Sequence, residues 1–286
     1  MLRSTFLAGL SSVALAGDHD PYADIERRYR GTLGVAAVDL YDQRTLTHRA
    51  QERFPLASTF KLPLVAAVLA RADAGRPLPL TLHVTQRELL TYSPVVDAAL
   101  ADSPRGADLT PDQCCAAAIE ESDNTAAAML LTALGGPPAL DAYIRKAGDG
   151  AIHIGAGEPK INDALYGSDV GTTTPAAMAD FLQKLVLGRL LSAPYTAKLL
   201  RWMRGCKTGA DRLRAGVPHQ WAVGDKTGTA KRATNDVAIF FVPTGPPIVV
   251  AAYLFDGPPG SAERNAALAD VARATVRAFH RNATRA

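Results

Sequence analysis

After an apolar stretch at the N-terminus, Gly34-Val35-Ala36-Ala37-Val38-Asp39-Leu40 forms an apolar run of strand length, and residues 45–50 read as the return arm of a hairpin around Asp42 and Gln43. From residue 58 to residue 200 the pattern turns mostly helical, in Ala- and Leu-rich runs broken by Gly and Pro. Residues 58–74 predict a helix stopped by Gly75. Thr110-Pro111-Asp112-Gln113 is a capping box with Pro in the first turn, opening a helix towards Glu121. Another helix runs from Thr125 to Gly135-Gly136-Pro137. The last third returns to strands: residues 221–226, 236–242 and 248–255 are apolar runs separated by turn residues, and residues 262–279 close the chain as a helix. No repeat or low-complexity linker interrupts the order. The pattern therefore predicts an α/β part built from both chain ends (17–54 and 203–286) and a helical part from the middle (55–202).

Composition narrows this picture. The 286 residues are 48% hydrophobic and 21% charged, enough apolar content for a sizeable core and too much for a disordered chain. The net charge is +3 and the basic residues are scattered rather than clustered, which argues neither for nor against nucleic acid; no nucleic-acid partner is expected. Residues 1–16 resemble an export signal, with Arg3 near the start, an apolar stretch from Phe6 to Leu15, and small residues around Ala14-Leu15-Ala16. The alternative is a frayed apolar N-terminus. That stretch is too short to span a bilayer, so no membrane anchor is expected. The expectation is a secreted, periplasmic bacterial protein, monomeric in solution. Cys114, Cys115 and Cys206 lack metal-ligand spacing, and adjacent cysteines rarely bridge each other. They are expected to be buried packing residues, and neither a metal nor a cofactor is implied.

Four short patterns carry chemistry. In Ser58-Thr59-Phe60-Lys61 the lysine lies one helical turn after the serine, where a desolvated amine can take the hydroxyl proton. By itself this pattern is weak, since a serine that caps a helix before an exposed lysine looks the same. Ser122-Asp123-Asn124 falls at a helix break, where all three residue types are also routine caps. Its functional reading has Ser122 relaying a proton to a leaving nitrogen and Asn124 meeting a substrate amide. Lys226-Thr227-Gly228 ends a strand and would present Lys and Thr to a cleft, whereas the same tripeptide at Lys207-Thr208-Gly209 reads as a polar turn. Glu158-Pro159-Lys160-Ile161-Asn162 follows a glycine-rich segment. A Glu there is usually just solvated, but Glu beside an Asn amide can also hold and activate water.

Together and in this order, the four resemble the class A β-lactamases over nearly the whole mature chain. Tyr92-Ser93-Pro94-Val95, Thr172-Thr173-Thr174-Pro175 and Arg214-Ala215-Gly216-Val217-Pro218 are similar to further family segments. The resemblance implies a β-lactamase/transpeptidase-like α/β (α+β) fold: an antiparallel sheet flanked by helices plus an all-helical domain, with the active site between them. It implies β-lactams as substrates, Ser58 as nucleophile, Lys61 as its proton-handling partner, Ser122 as relay and Lys226 as electrostatic anchor. Glu158, with Asn162, would activate the deacylating water across a cis Glu158–Pro159 bond. Tyr92 would wall the cleft, and Asn124, Arg212, Thr227, Gly228 and Thr229 would line the substrate site. The N–H groups of Ser58 and Thr229 would form the oxyanion hole.

The departures are specific. The ion pair that clamps the loop around the Glu in many members is replaced by Ala156 and Gly171, and no substitute pair is evident in the sequence nearby. A mobile loop over residues 155–171 is therefore expected, unless Ile161, Leu165 and Tyr166 pin it by apolar packing. The strand arginine that binds the substrate carboxylate in many members is matched to Pro247, with Arg212 as the substitute. Cys115 matches one half of a disulfide whose other half is Val65 here. Two rivals share most of the motifs: a penicillin-binding D-Ala-D-Ala peptidase, which lacks the deacylating Glu, and a non-hydrolytic β-lactam sensor domain, normally joined to a transmembrane segment.

Overall fold

The computed structural model describes residues 20–243 and 245–280. The N-terminal export-signal expectation, residues 1–16, lies outside them. The strands are β1 (Thr32–Asp39), β2 (Thr45–His48), β3 (Phe54–Pro55), β4 (Leu82–Val84), β5 (Ala107–Leu109), β6 (Thr172–Thr173), β7 (Ala222–Thr229), β8 (Ala233–Phe241) and β9 (Ile248–Phe255). The helices are α1 (Pro21–Tyr29), α2 (Lys61–Asp73), α3 (Pro94–Asp102), α4 (Pro111–Ala116), α5 (Asn124–Leu134), α6 (Pro137–Lys146), α7 (Pro175–Val186), α8 (Ala193–Arg204) and α9 (Ser261–His280). A five-stranded sheet in the order β2-β1-β9-β8-β7 has every neighbouring pair antiparallel. Strands from the two ends of the chain thus share one sheet, and β7, carrying Lys226, is an edge.

Side chains alternate across a strand, and here both faces are covered. Val237, Ile239, Val249, Ala251 and Tyr253 join the larger core beneath the central helices. Ala238, Phe240, Val250, Ala252 and Leu254 face a second core made with Tyr22, Ile25, Leu268 and Val271 of α1 and α9. Burial on both sides explains why these strands read as continuous apolar runs. The predicted capping box is present: the Thr110 side chain accepts from the Gln113 amide while Gln113 reaches back to Thr110. That helix does not run to Glu121 as one element, because residues Ala117–Glu121 widen into a π-turn. The predicted helix over residues 58–74 likewise divides into a 3-10 turn, Ala57–Phe60, and α2. The three cysteines are buried and unbridged, as expected.

Candidate active site

Ser58 sits in the tight turn that enters α2, preceded by Ala57 at φ +43, a conformation few L-residues adopt. Two contacts hold that turn against the sheet. Asn235 on β8 donates from Nδ2 to the carbonyls of Pro55 (2.8 Å) and Leu56 (3.2 Å). Gly228 on β7 passes so close that a Cβ would lie 2.9 Å from the Leu56 carbonyl oxygen and 3.0 Å from Thr59 Cγ2. A side chain at 228 would therefore push the strand off the serine turn, which is the steric reason for glycine there.

Lys61, on the first turn of α2, is fully buried and donates to the Ser122 carbonyl (2.7 Å) and to Asn124 Oδ1 (2.5 Å), with Ser122 Oγ at 3.4 Å. Its other neighbour is the buried carboxylate of Glu158, 3.5 Å away. Burial pushes the Lys61 ammonium down to about 7; Lys226 pushes the same way and Glu158 opposes. Lys226 is also fully buried, with its pKa lowered by desolvation, and donates to Ser122 Oγ (3.0 Å) and the Thr227 carbonyl (2.8 Å). The Ser122 hydroxyl thus stands between two lysines. The chain presents it at φ +60, where the π-turn ends.

Glu158 is joined to Pro159 by a cis peptide bond. Its Oε2 accepts from Asn162 Nδ2 at 2.6 Å. Glu158 Oε1 and Asn162 Oδ1 are both buried acceptors without a hydrogen-bond partner among the described residues. Tyr92 is largely exposed, as befits the rim of a cleft, and its carbonyl accepts from the Asn124 amide. Asn124 spends one Nδ2 hydrogen on the Thr91 carbonyl (2.8 Å). Thr229 is exposed at the end of β7, where the loop of Asn162 and Leu165 faces Ala230 and Lys231 across a cleft of about 200 Å³.

One expectation, the Pro247 match, needs correction, and two others gain structural detail. Arg212 does not project freely into the cleft. It is 8% exposed, and four of its five N–H groups are taken by Asn265 Oδ1, the Gly228 and Asn235 carbonyls, and Thr229 Oγ1. Its contact with the cleft runs through the Thr229 hydroxyl (2.7 Å). Pro247 is not beside the lysine strand end at all. It precedes β9 at the end of the sheet where Ile248 meets Asp39 and Phe240, while Thr234 and Asn235 lie opposite Thr229 and Gly228. Nor is the loop around Glu158 without charged anchors. Arg53 donates to the carbonyls of Ser168 (3.2 Å) and Asp169 (3.0 Å) and to Thr172 Oγ1 (3.1 Å). At the other end Asp141 accepts from the amides of Ile154 (2.8 Å) and Gly155 (3.3 Å). Between them Tyr166 packs edge-on against Phe54, stacks on Phe255 and hydrogen-bonds Glu52, and Ile161 is buried, whereas Leu165 is exposed.

Several residues escaped the motif reading. Asp123 is the middle residue of the Ser122-Asp123-Asn124 triplet. It is fully buried, caps α5 through Ala126 N (2.8 Å), and accepts from Val95 and Val96 (3.0 Å each), so one carboxylate fixes Ser122, Asn124 and the Tyr92 segment. The duplicate tripeptide is indeed a turn, with Lys207 exposed and paired to Glu121. Yet it folds onto the other copy: Thr208 Oγ1 lies 2.5 Å from Thr227 Oγ1, and a Cβ on Gly209 would strike Asp225. Polar residues inside an apolar strand, Asn235 and Asp236, were the available signal for the tie to the serine turn.

The sequence model described as the beta-lactamase enzyme family matches residues 21–279. The chain belongs to the β-lactamase enzyme family, in its class A branch. Its fold is similar to a class A β-lactamase titled the last common ancestor of Gram-negative bacteria, with 45% identity and a TM-score of 0.85, covering 91% of this chain and 98% of that one. A β-lactamase from Burkholderia vietnamiensis is 40% identical with a TM-score of 0.86, covering 95% and 98% of the two chains. A variant of the ancestral class A enzyme, bound to the transition-state analogue 5(6)-nitrobenzotriazole, is 44% identical with a TM-score of 0.86, covering 91% and 97%. As a class A β-lactamase, this chain is a serine hydrolase whose substrates are β-lactam amides.

Proposed function

We propose that the protein is exported and hydrolyses penicillins and some cephalosporins through an acyl-enzyme on Ser58, protecting its host against these drugs. In acylation, neutral Lys61 takes the Ser58 proton as Oγ attacks the lactam carbonyl. The amides of Ser58 and Thr229 hold the tetrahedral oxyanion, each contribution being worth about 2.7–4 kcal/mol. As the C–N bond breaks, Ser122 gives its proton to the nitrogen and recovers one from Lys61, while Lys226 stabilises the relay and the substrate carboxylate. In deacylation, Glu158 takes a proton from water, hydroxide attacks the ester, and Ser58 leaves with the proton. One water is consumed and one ring-opened amino acid is released.

The observation that carries hydrolysis, rather than permanent acylation, is a pair of buried acceptors without a hydrogen bond among the described residues: Asn162 Oδ1, and Glu158 Oε1, whose ion-pair partner Lys61 is 3.5 Å away. Buried acceptors seek a donor, and a water molecule bonded to both would be poised for proton loss to Glu158. Neither a D-Ala-D-Ala peptidase nor an acylating sensor requires this arrangement. The test is intact-protein mass spectrometry with a penicillin: Glu158→Ala should accumulate the covalent adduct, and Ser58→Ala should form none. Rapid return of free protein in Glu158→Ala would place the deacylating base elsewhere.

A further inference from the structure

Outside the catalytic cleft, the molecule has a second concavity at the opposite end of β7. It has a volume of about 320 Å³ and is bounded by Arg204 at the end of α8, by Arg214, Val217 and His219 in the segment before β7, and by Trp221 and Val223. Ala222, on its wall, is six residues before Gly228, so the two places are roughly 20 Å apart along the strand. No lining residue is acidic. Two guanidinium groups and an imidazole therefore border a hollow whose remaining walls are apolar.

Neither arginine is fully satisfied. The Arg204 guanidinium lies over the Phe241 ring, 4.0 Å from its centroid, and makes no ion pair among the described residues. Arg214 is paired through Nη2 with the buried carboxylate of Asp225, but its Nε is a buried donor without an acceptor. The Arg214 side chain is itself 30% exposed, so its charge is open to a ligand from the hollow. A carboxylate in the hollow would gain charge-assisted bonds from the exposed Arg204 guanidinium and from the part of Arg214 that borders it. The volume falls at the lower end of small-molecule pockets, and Trp221, 9% exposed and packed in the second core, forms part of its wall beside Val217 and Pro218.

We propose that this cavity binds a small organic carboxylate, its charged end between Arg204 and Arg214 and its apolar body against Trp221 and Val223. The site is separate from the one that takes the β-lactam, and it shares Arg214 with Asp225, the residue that precedes Lys226 on β7. A carboxylate held there touches the same guanidinium that neutralises the back of the catalytic strand.

Benzoate is a suitable probe, and Trp221 is its reporter. Titration should give a saturable change in tryptophan fluorescence, absent with neutral benzamide and lost in Trp221→Phe. Arg204→Gln, at an exposed position, should weaken binding by about tenfold, the loss of one charge-assisted contact. Thr229→Val, at the other end of the strand, should leave it unchanged. The proposal is overturned if the parent protein shows no saturable change, if benzamide binds equally, or if Thr229→Val weakens binding and Arg204→Gln does not. The last result would place benzoate in the catalytic cleft. None of these readouts depends on turnover, so they stand apart from the hydrolytic reading.

Discussion

At the scale of single residues, the proposed mechanism makes Lys61 the group that sets the pH behaviour. Its ammonium is depressed to about 7, chiefly by burial, and its neutral form is the one able to accept the Ser58 proton. That form increases with pH, so acylation should be weak below about pH 7 and rise as pH climbs through it. Glu158 and then Asp123 favour the charged lysine. In Glu158→Gln the acidic limb of the acylation rate should therefore move to lower pH, measured by stopped-flow with a penicillin. Loss of acylation at every pH would instead make the carboxylate the base. Arg212 is a positioning residue in this structure, because its donors hold the Gly228 and Asn235 carbonyls and the Thr229 hydroxyl. Arg212→Ala should raise KM for penicillins roughly tenfold and also lower stability by on the order of 3 kcal/mol, since two buried carbonyls lose their donor. Thr229→Val should reproduce most of the KM effect with little loss of stability. Strictly additive KM effects in the double variant would show that Arg212 acts on the substrate without Thr229.

At the scale of elements, the loop over residues 155–171 is the informative case. With Ala156 and Gly171 in place of the ion pair, sequence reasoning expected it to open easily. The structure anchors it from outside, through Arg53 at one end, Asp141 at the other and Tyr166 between. Gly171 itself is required: at φ +71 a Cβ would lie 2.8 Å from Ala164 Cβ. Arg53→Ala should speed amide exchange over residues 165–171 without changing α2, and should slow deacylation by loosening Glu158. Unchanged exchange in that variant would assign the anchoring to the Tyr166 ring instead. The π-turn before Ser122 is a second such element. It ends in the left-handed residue that points the hydroxyl between two lysines, and Asp123 holds the break open by accepting three amides. No periodicity reports a π-turn, because its cause is this tertiary capping.

At the scale of the molecule, the two chain ends meet. Tyr22 of α1 is fully buried against α9, with its hydroxyl 2.7 Å from Thr275 Oγ1, on the face of the sheet remote from Ser58. Tyr22→Ala should cost about 3–5 kcal/mol by emptying a packed site, the figure for large aromatic truncations. It should leave kcat/KM unchanged wherever the protein remains folded. A lower Tm with parental kinetics is the expected pair of measurements. Altered kinetics at unchanged stability would show instead that the second core is coupled to the cleft.

Apolar periodicity, turn residues and motif order were enough to read from the chain the strands of the central sheet, the helix after Ser58, the Thr110 cap, the family, and the candidate residues Ser58, Lys61, Ser122, Glu158 and Lys226. Each of these signals is local: a strand alternates, a cap has a fixed spacing, and a motif is contiguous. Strand context even separated Lys226 from its duplicate at Lys207. Tertiary structure alone decided what these groups touch. It buried Lys61 and Lys226 around one hydroxyl, turned Arg212 into a brace, and put Pro247 at the wrong end of the sheet for a carboxylate anchor. It also recruited Arg53, 115 residues before Ser168 in the chain, to hold the catalytic loop. Such partners are set by three-dimensional packing between segments far apart in the chain, where burial fixes both the cost of a charge and the need for its partner.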